Sequence, residues 1–75
     1  MAERFKANIN PDVLVWARQT AGYSIEEAAR KIGTSSAILE AWESGDKKPT
    51  LNQLRKAARL YRRPSALFYR QTVPD

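Results

Sequence analysis

The sequence predicts an all-α fold of five helices, and three observations carry that reading. Apolar residues recur at helical spacing, no segment alternates with the period of two that a half-buried strand requires, and helix-starting and helix-stopping residues punctuate the chain at short intervals. The first helix is expected from about Pro11 to Ala21. Asn10 is its N-cap, Pro11 sits in the first turn where its missing N–H costs nothing, and Gly22 stops it. Ser24 and Glu27 have the spacing of a capping box, which opens the second helix. Ser35 caps the third, which ends at Gly45. Thr50 and Gln53 form another capping box, opening a fourth helix from about Leu51 to Tyr61 with Leu51, Leu54, Ala58 and Tyr61 on one face. Pro64 suits the start of a short fifth helix through Tyr69. The chain thus divides into a flexible N-terminal arm over residues 1–10, one domain over 11–70, and a tail or linker over 71–75, without internal repeats.

Composition bounds the function. Seventy-five residues allow a single domain. A chain this short buries only about 60% of its unfolded surface, so the core must be economical. There is no cysteine and no histidine, which removes disulfides, thiolate sites, the commonest zinc ligand and the commonest general base. With no Gly-rich phosphate loop and no evident pair of carboxylates in a cleft, catalysis is not expected, nor is any cofactor or metal. The apolar runs are too short to span a membrane, and the first five residues lack the apolar core of a secretory signal. The lack of cysteine fits a cytoplasmic protein. Thirteen Lys and Arg against eight Asp and Glu give a net charge of +5 and a pI near 10.0. Such a balance favours polyanionic partners through counterion release, although a solvated basic surface gives the same totals.

The stretch from Ile25 to Ser44 is the most informative. Its first half carries Ile25, Ala28, Ala29 and Ile32 on one stripe, and its second half carries Ser35, Ile38, Leu39 and Trp42. Ala28 and Ala29 allow close approach of the second element, and Gly33 gives the corner its backbone freedom. Two short helices at a steep angle, the outer face of the second left free, form a helix-turn-helix suited to the DNA major groove.

Ala29, Gly33 and Leu39, followed by Trp42-Glu43-Ser44-Gly45-Asp46-Lys47-Lys48-Pro49-Thr50, resemble the XRE (Cro/CI, lambda repressor-like) DNA-binding domains over roughly residues 11–69. Asn10 to Leu14, Trp16-Ala17-Arg18 and Leu60 to Pro64 look more closely like the N-terminal domain of XRE regulators fused to ImmA/IrrE-type zinc peptidases. The chain carries no His-Glu-x-x-His segment, so a domain excised from a longer protein and a stand-alone relative both stay open.

The resemblance implies that the third helix enters the groove with Ser36, Ala37, Glu40 and Ala41 towards the bases. Ser24, Ser35, Ser44, Lys47, Lys48 and Thr50 complete the DNA-facing set, chiefly at phosphate. Ser meets several base edges and Ala packs on a thymine methyl, but the set holds no Arg for guanine and no Gln or Asn for adenine. Many members place Gln after the position of Ser24, where this chain has Ile25. Arg18 shares a face with Leu14 and Ala17, where an unpaired guanidinium is not tolerated. The resemblance implies a buried, structural salt bridge from Arg18 to Glu43.

Trp16, Trp42, Tyr61, Phe68 and Tyr69 are expected in the core or at a dimer contact. Arg55, Lys56, Arg59, Arg62 and Arg63 are expected on the solvated outer side of the fourth helix. Two functions compete. One is a transcriptional regulator binding double-stranded DNA as a homodimer at a palindrome. The other is an antitoxin-like or protein-interaction module that docks a toxin or peptidase partner and reads DNA weakly.

Overall fold

The computed structural model describes residues 6–74. Four α-helices form in the order α1 (Pro11–Ala21), α2 (Ile25–Ile32), α3 (Ser36–Ser44) and α4 (Leu51–Tyr61), followed by a 3-10 helix over Ser65–Tyr69. No strand occurs among the described residues; an isolated antiparallel bridge joins Lys6 to Thr50. Each α-helix begins on the side chain that the sequence offered as its cap. Asn10 accepts from the Asp12 N–H, Ser24 from Glu27, Ser35 from Ile38 and Thr50 from Gln53. Both capping boxes close reciprocally. Each such cap contributes about 1 kcal/mol, which matters in helices of two or three turns.

The helices bury one stripe each. Val13, Leu14 and Ala17 of α1, Ala28, Ala29 and Ile32 of α2, Leu39 and Trp42 of α3, and Leu54, Ala57, Ala58 and Tyr61 of α4 form one core with Phe68 of the 3-10 helix. α2 packs on both α3 and α4, while α1 packs on α3, α4 and the 3-10 helix. Alanines at two of the three buried positions of α2 let it approach both neighbours. Between α2 and α3 the corner turns at Gly33, whose φ of +94° is left-handed and costs a residue with a Cβ about 1–2 kcal/mol. The same conformation at the end of α4 is taken by Arg62 (φ 59°).

Three expectations are corrected. The fifth helix is 3-10, closed by Leu67 N–H to the Pro64 carbonyl and Arg70 N–H to the Leu67 carbonyl. Five residues between two extended caps are too few for an α-helix, and the tighter winding seats Phe68 in the core. On α4, Leu51 lies at the edge of the apolar arc and is 41% exposed, with Ala57 buried in the arc instead.

The arm is the third correction. Residues 6–10 are packed rather than free: Ala7 and Ile9 are buried, Ala7 donates to the Pro49 carbonyl at 2.8 Å, and Asn10 donates its backbone N–H to Phe68 at 2.8 Å. The Asn10 side chain also donates to the carbonyls of Arg70 and Gln71, at 3.0 and 2.9 Å. Residues 1–5 of the expected arm, and residue 75 of the tail, lie outside the described residues.

Candidate nucleic-acid interface

α3 is held from behind. Leu39 and Trp42 anchor its inner face, and Arg18 of α1 grips Glu43 with two parallel bonds, Nε to Oε2 at 2.8 Å and Nη2 to Oε1 at 3.2 Å. The third guanidinium nitrogen donates to the Tyr23 carbonyl at 2.9 Å. The pair is mostly buried, with side-chain exposures of 15% and 9%, and it is the only salt bridge among the described residues. Its hydrogen bond to Glu43, opposed by desolvation, raises the Arg18 pKa further above its ordinary value. Close by, the Tyr61 hydroxyl is buried with no hydrogen-bond partner among the described residues. Burial pushes that phenol upward, and Glu43 adds to the effect. The pairing fixes the angle at which α3 leaves α1.

The other side of α3 is open. Ala37 and Glu40 are exposed, and Ser36 and Ala41 are half-buried. Ser35 and Ser44 are exposed at the two ends, although both hydroxyls have local partners: Ser35 accepts from Ile38, and Ser44 donates to the Ala41 carbonyl. The face carries no cation. Positive charge comes from the loop after it, where Asp46 and Lys47 both donate their N–H to the Ala41 carbonyl and Pro49 is fully buried. Lys47 and Lys48 therefore project, exposed, from a fixed backbone. Thr50 accepts from the Gln53 N–H and keeps its own hydroxyl proton for a further acceptor.

Sequence reasoning missed one member of this set. The bridge to Thr50 brings exposed Lys6 beside the loop. Lys6, Lys47 and Lys48, with Asp46, rim a concavity of about 650 Å³ backed by Ile38 and Trp42. Residues 6–9 carry no helical pattern, so the burial of Ala7 and Ile9 that places Lys6 there was not evident in the sequence.

Ser24 stands differently from its expected role. Its N–H donates to the Glu27 carboxylate at 3.2 Å, and its hydroxyl accepts from the Glu27 N–H. Those bonds from Ser24 hold the Glu27 carboxyl below its ordinary value. The α2 N-terminus thus already carries its own anion, with Glu26 beside it. The starts of α3 and α4 have no acidic residue in the first turn. Phosphate is better received there, where helix dipole and free N–H groups act together.

A capped bihelical unit, its second helix braced from behind and bare in front, beside a basic loop, defines a helix-turn-helix DNA-binding domain. A helix-turn-helix family model matches residues 14–68. The chain belongs to that family, in its XRE type, a family of DNA-binding domains rather than enzymes. No curated protein matches the sequence. No helix among the described residues is long and apolar enough to cross a membrane.

Proposed function

We propose that this chain is the duplex-reading part of an XRE-type transcriptional regulator acting in the cytoplasm. The observation that carries the reading is the open outer face of α3 set beside the fixed loop bearing Lys47 and Lys48. In this reading α3 lies in the major groove, with Ser36, Ala37, Glu40 and Ala41 at the base edges. Lys6, Lys47, Lys48, Thr50 and the α3 N-terminus at Ser35 take the flanking phosphates. Two copies on a palindrome would set half-sites about 34–36 Å apart. Tyr69 and Val73, 47% and 38% exposed, are the apolar residues left near the chain's end for a twofold contact.

Affinity in this arrangement comes chiefly from phosphate, and base discrimination is shallow, because the reading face offers small hydroxyls, methyls and one carboxylate. That composition, with Glu27 occupying the α2 start, also supports a second reading: an interaction module for a toxin or peptidase partner with weak DNA recognition. The test is duplex affinity against salt for the native chain and for Lys47→Glu/Lys48→Glu. Loss of two phosphate contacts is expected to flatten the log–log salt dependence by about two. A native chain that binds duplex DNA no better than a neutral polymer, at any salt, would sink the first reading.

A further inference from the structure

Positive charge is concentrated away from the reading helix. α3 carries Glu40 and Glu43 and no cation, whereas α4 carries Arg55, Lys56 and Arg59 and no acidic residue. Arg55 and Arg59 stand four apart, Lys56 and Arg59 three apart, and Arg59 and Arg62 three apart. Like charges at those spacings destabilise a helix. None of these cations forms a salt bridge among the described residues. The last turn of α2 adds Lys31, which lines a hollow together with Lys56 and Arg59. Its nearest carboxylate in sequence, Glu27, is engaged by Ser24.

The surface is also shaped. Lys31, Lys56 and Arg59 wall a concavity of about 520 Å³ with Ile32, Gly33 and Leu60. Leu60, half-buried, lines a second concavity of about 490 Å³ together with Arg62 and Arg63. An apolar side chain thus stands between two cationic hollows. A phosphate backbone offers nothing apolar to meet half-buried Leu60. A peptide with an aliphatic residue flanked by carboxylates meets both features.

We propose that the α2–α4 face is a docking surface for an acidic protein segment with an aliphatic anchor. The aliphatic side chain seats against Leu60, and its neighbouring carboxylates pair with Lys56 and Arg59 on one side and Arg62 on the other. Pairing relieves the like-charge repulsion along α4. The surface uses no residue of α3 or of the Lys47–Lys48 loop, so it stands whether or not the DNA reading holds.

The test is fluorescence anisotropy with labelled synthetic peptides against the native chain and Lys56→Glu/Arg59→Glu, each checked for helicity by circular dichroism. The probes are Glu-Glu-Leu-Glu-Glu, the same peptide with Ala for Leu, and the same peptide with Gln for Glu. Charge reversal should weaken the leucine peptide at least about tenfold, and both altered peptides should bind the native chain more weakly than the parent. Duplex affinity of the variant should fall by clearly less than peptide affinity, because the drop in net charge from +5 to +1 weakens only long-range attraction there. Absence of peptide binding, or binding indifferent to charge reversal, overturns the proposal. Equal binding of the alanine peptide overturns it too, since diffuse attraction then suffices. So does a fall in duplex affinity as large as that for peptide, which makes the face a contact for flanking phosphate.

Discussion

Replacing Arg18 by Met tests how α3 is braced. The substitution keeps a long apolar stem but removes three donated bonds, two to Glu43 and one to the Tyr23 carbonyl. Glu43 is left as a carboxylate with 9% side-chain exposure and no cation. Breaking a buried pair by deleting one partner costs about 3–5 kcal/mol, and the residual exposure of both groups puts the expected loss near the lower figure, about 3 kcal/mol. A domain of this length has about 4–11 kcal/mol in total. The melting temperature should therefore fall by about 12–24 °C. Urea denaturation followed by tryptophan fluorescence and circular dichroism measures the loss directly. Arg18→Met/Glu43→Met supplies the contrast, because removing both charges removes the stranded carboxylate. The double variant should recover about 2 kcal/mol over Arg18→Met alone. A single-variant loss under about 1 kcal/mol, the range of exposed ion pairs, would refute the reasoning. So would a double variant no better than the single.

Further expectations follow from the caps, the corner and the buried phenol. Tyr61→Phe removes a hydroxyl that has no partner and should stabilise the fold by about 1 kcal/mol in urea titrations at neutral pH. The phenol's pKa is raised above its ordinary 10.0 in the fold. Folding therefore opposes ionisation of this phenol, a penalty absent below pH 10.0 and growing as pH rises above it, so the native chain should weaken at alkaline pH more steeply than the phenylalanine variant. Glu27 works in the opposite sense: its pKa lies below 4.5 in the fold, so its contribution is present above pH 4.5 and lost as pH falls further. Glu27→Gln keeps the capping geometry and should flatten that acid limb; equal acid sensitivity in both chains would contradict the assignment. At Gly33 an added Cβ meets no atom within 4 Å. Gly33→Ala should thus cost only the left-handed backbone penalty, about 1–2 kcal/mol in a thermal melt, and a larger loss would mean a clash not evident in the fold.

The helices were legible because their boundaries are local events. Asn10 caps Asp12 just past Pro11, and the pairs Ser24 with Glu27 and Thr50 with Gln53, three residues apart, close as their spacing suggests. The open outer face of α3 and the loop after it were legible from the motif that runs from Ala29 to Thr50. What escaped depends on distant partners. Ala7 is buried because Pro49 receives its N–H, and Asn10 is fixed by Phe68, Arg70 and Gln71, none of which a ten-residue window contains. Lys6 reached the basic rim by the same route. Arg63, read as one more solvated cation, instead lies 4.5 Å over the Trp16 ring, with a 3.4 Å bond to Thr20. Its neighbour on α1 is 47 positions away in sequence, so helix periodicity on α4 carries no sign of it.

The bonds from Asn10 to Phe68, Arg70 and Gln71 fasten the lead-in to α1 directly onto the segment that leaves the 3-10 helix. Mechanically, that makes a buckle. Tension drawn through the N-terminal side would first load the Lys6–Thr50 bridge and the Ala7–Pro49 bond, and only then the bonds from Asn10. A pull on the leading segment is thus felt first at the basic loop, while the turn at Gly33 lies outside that line of load.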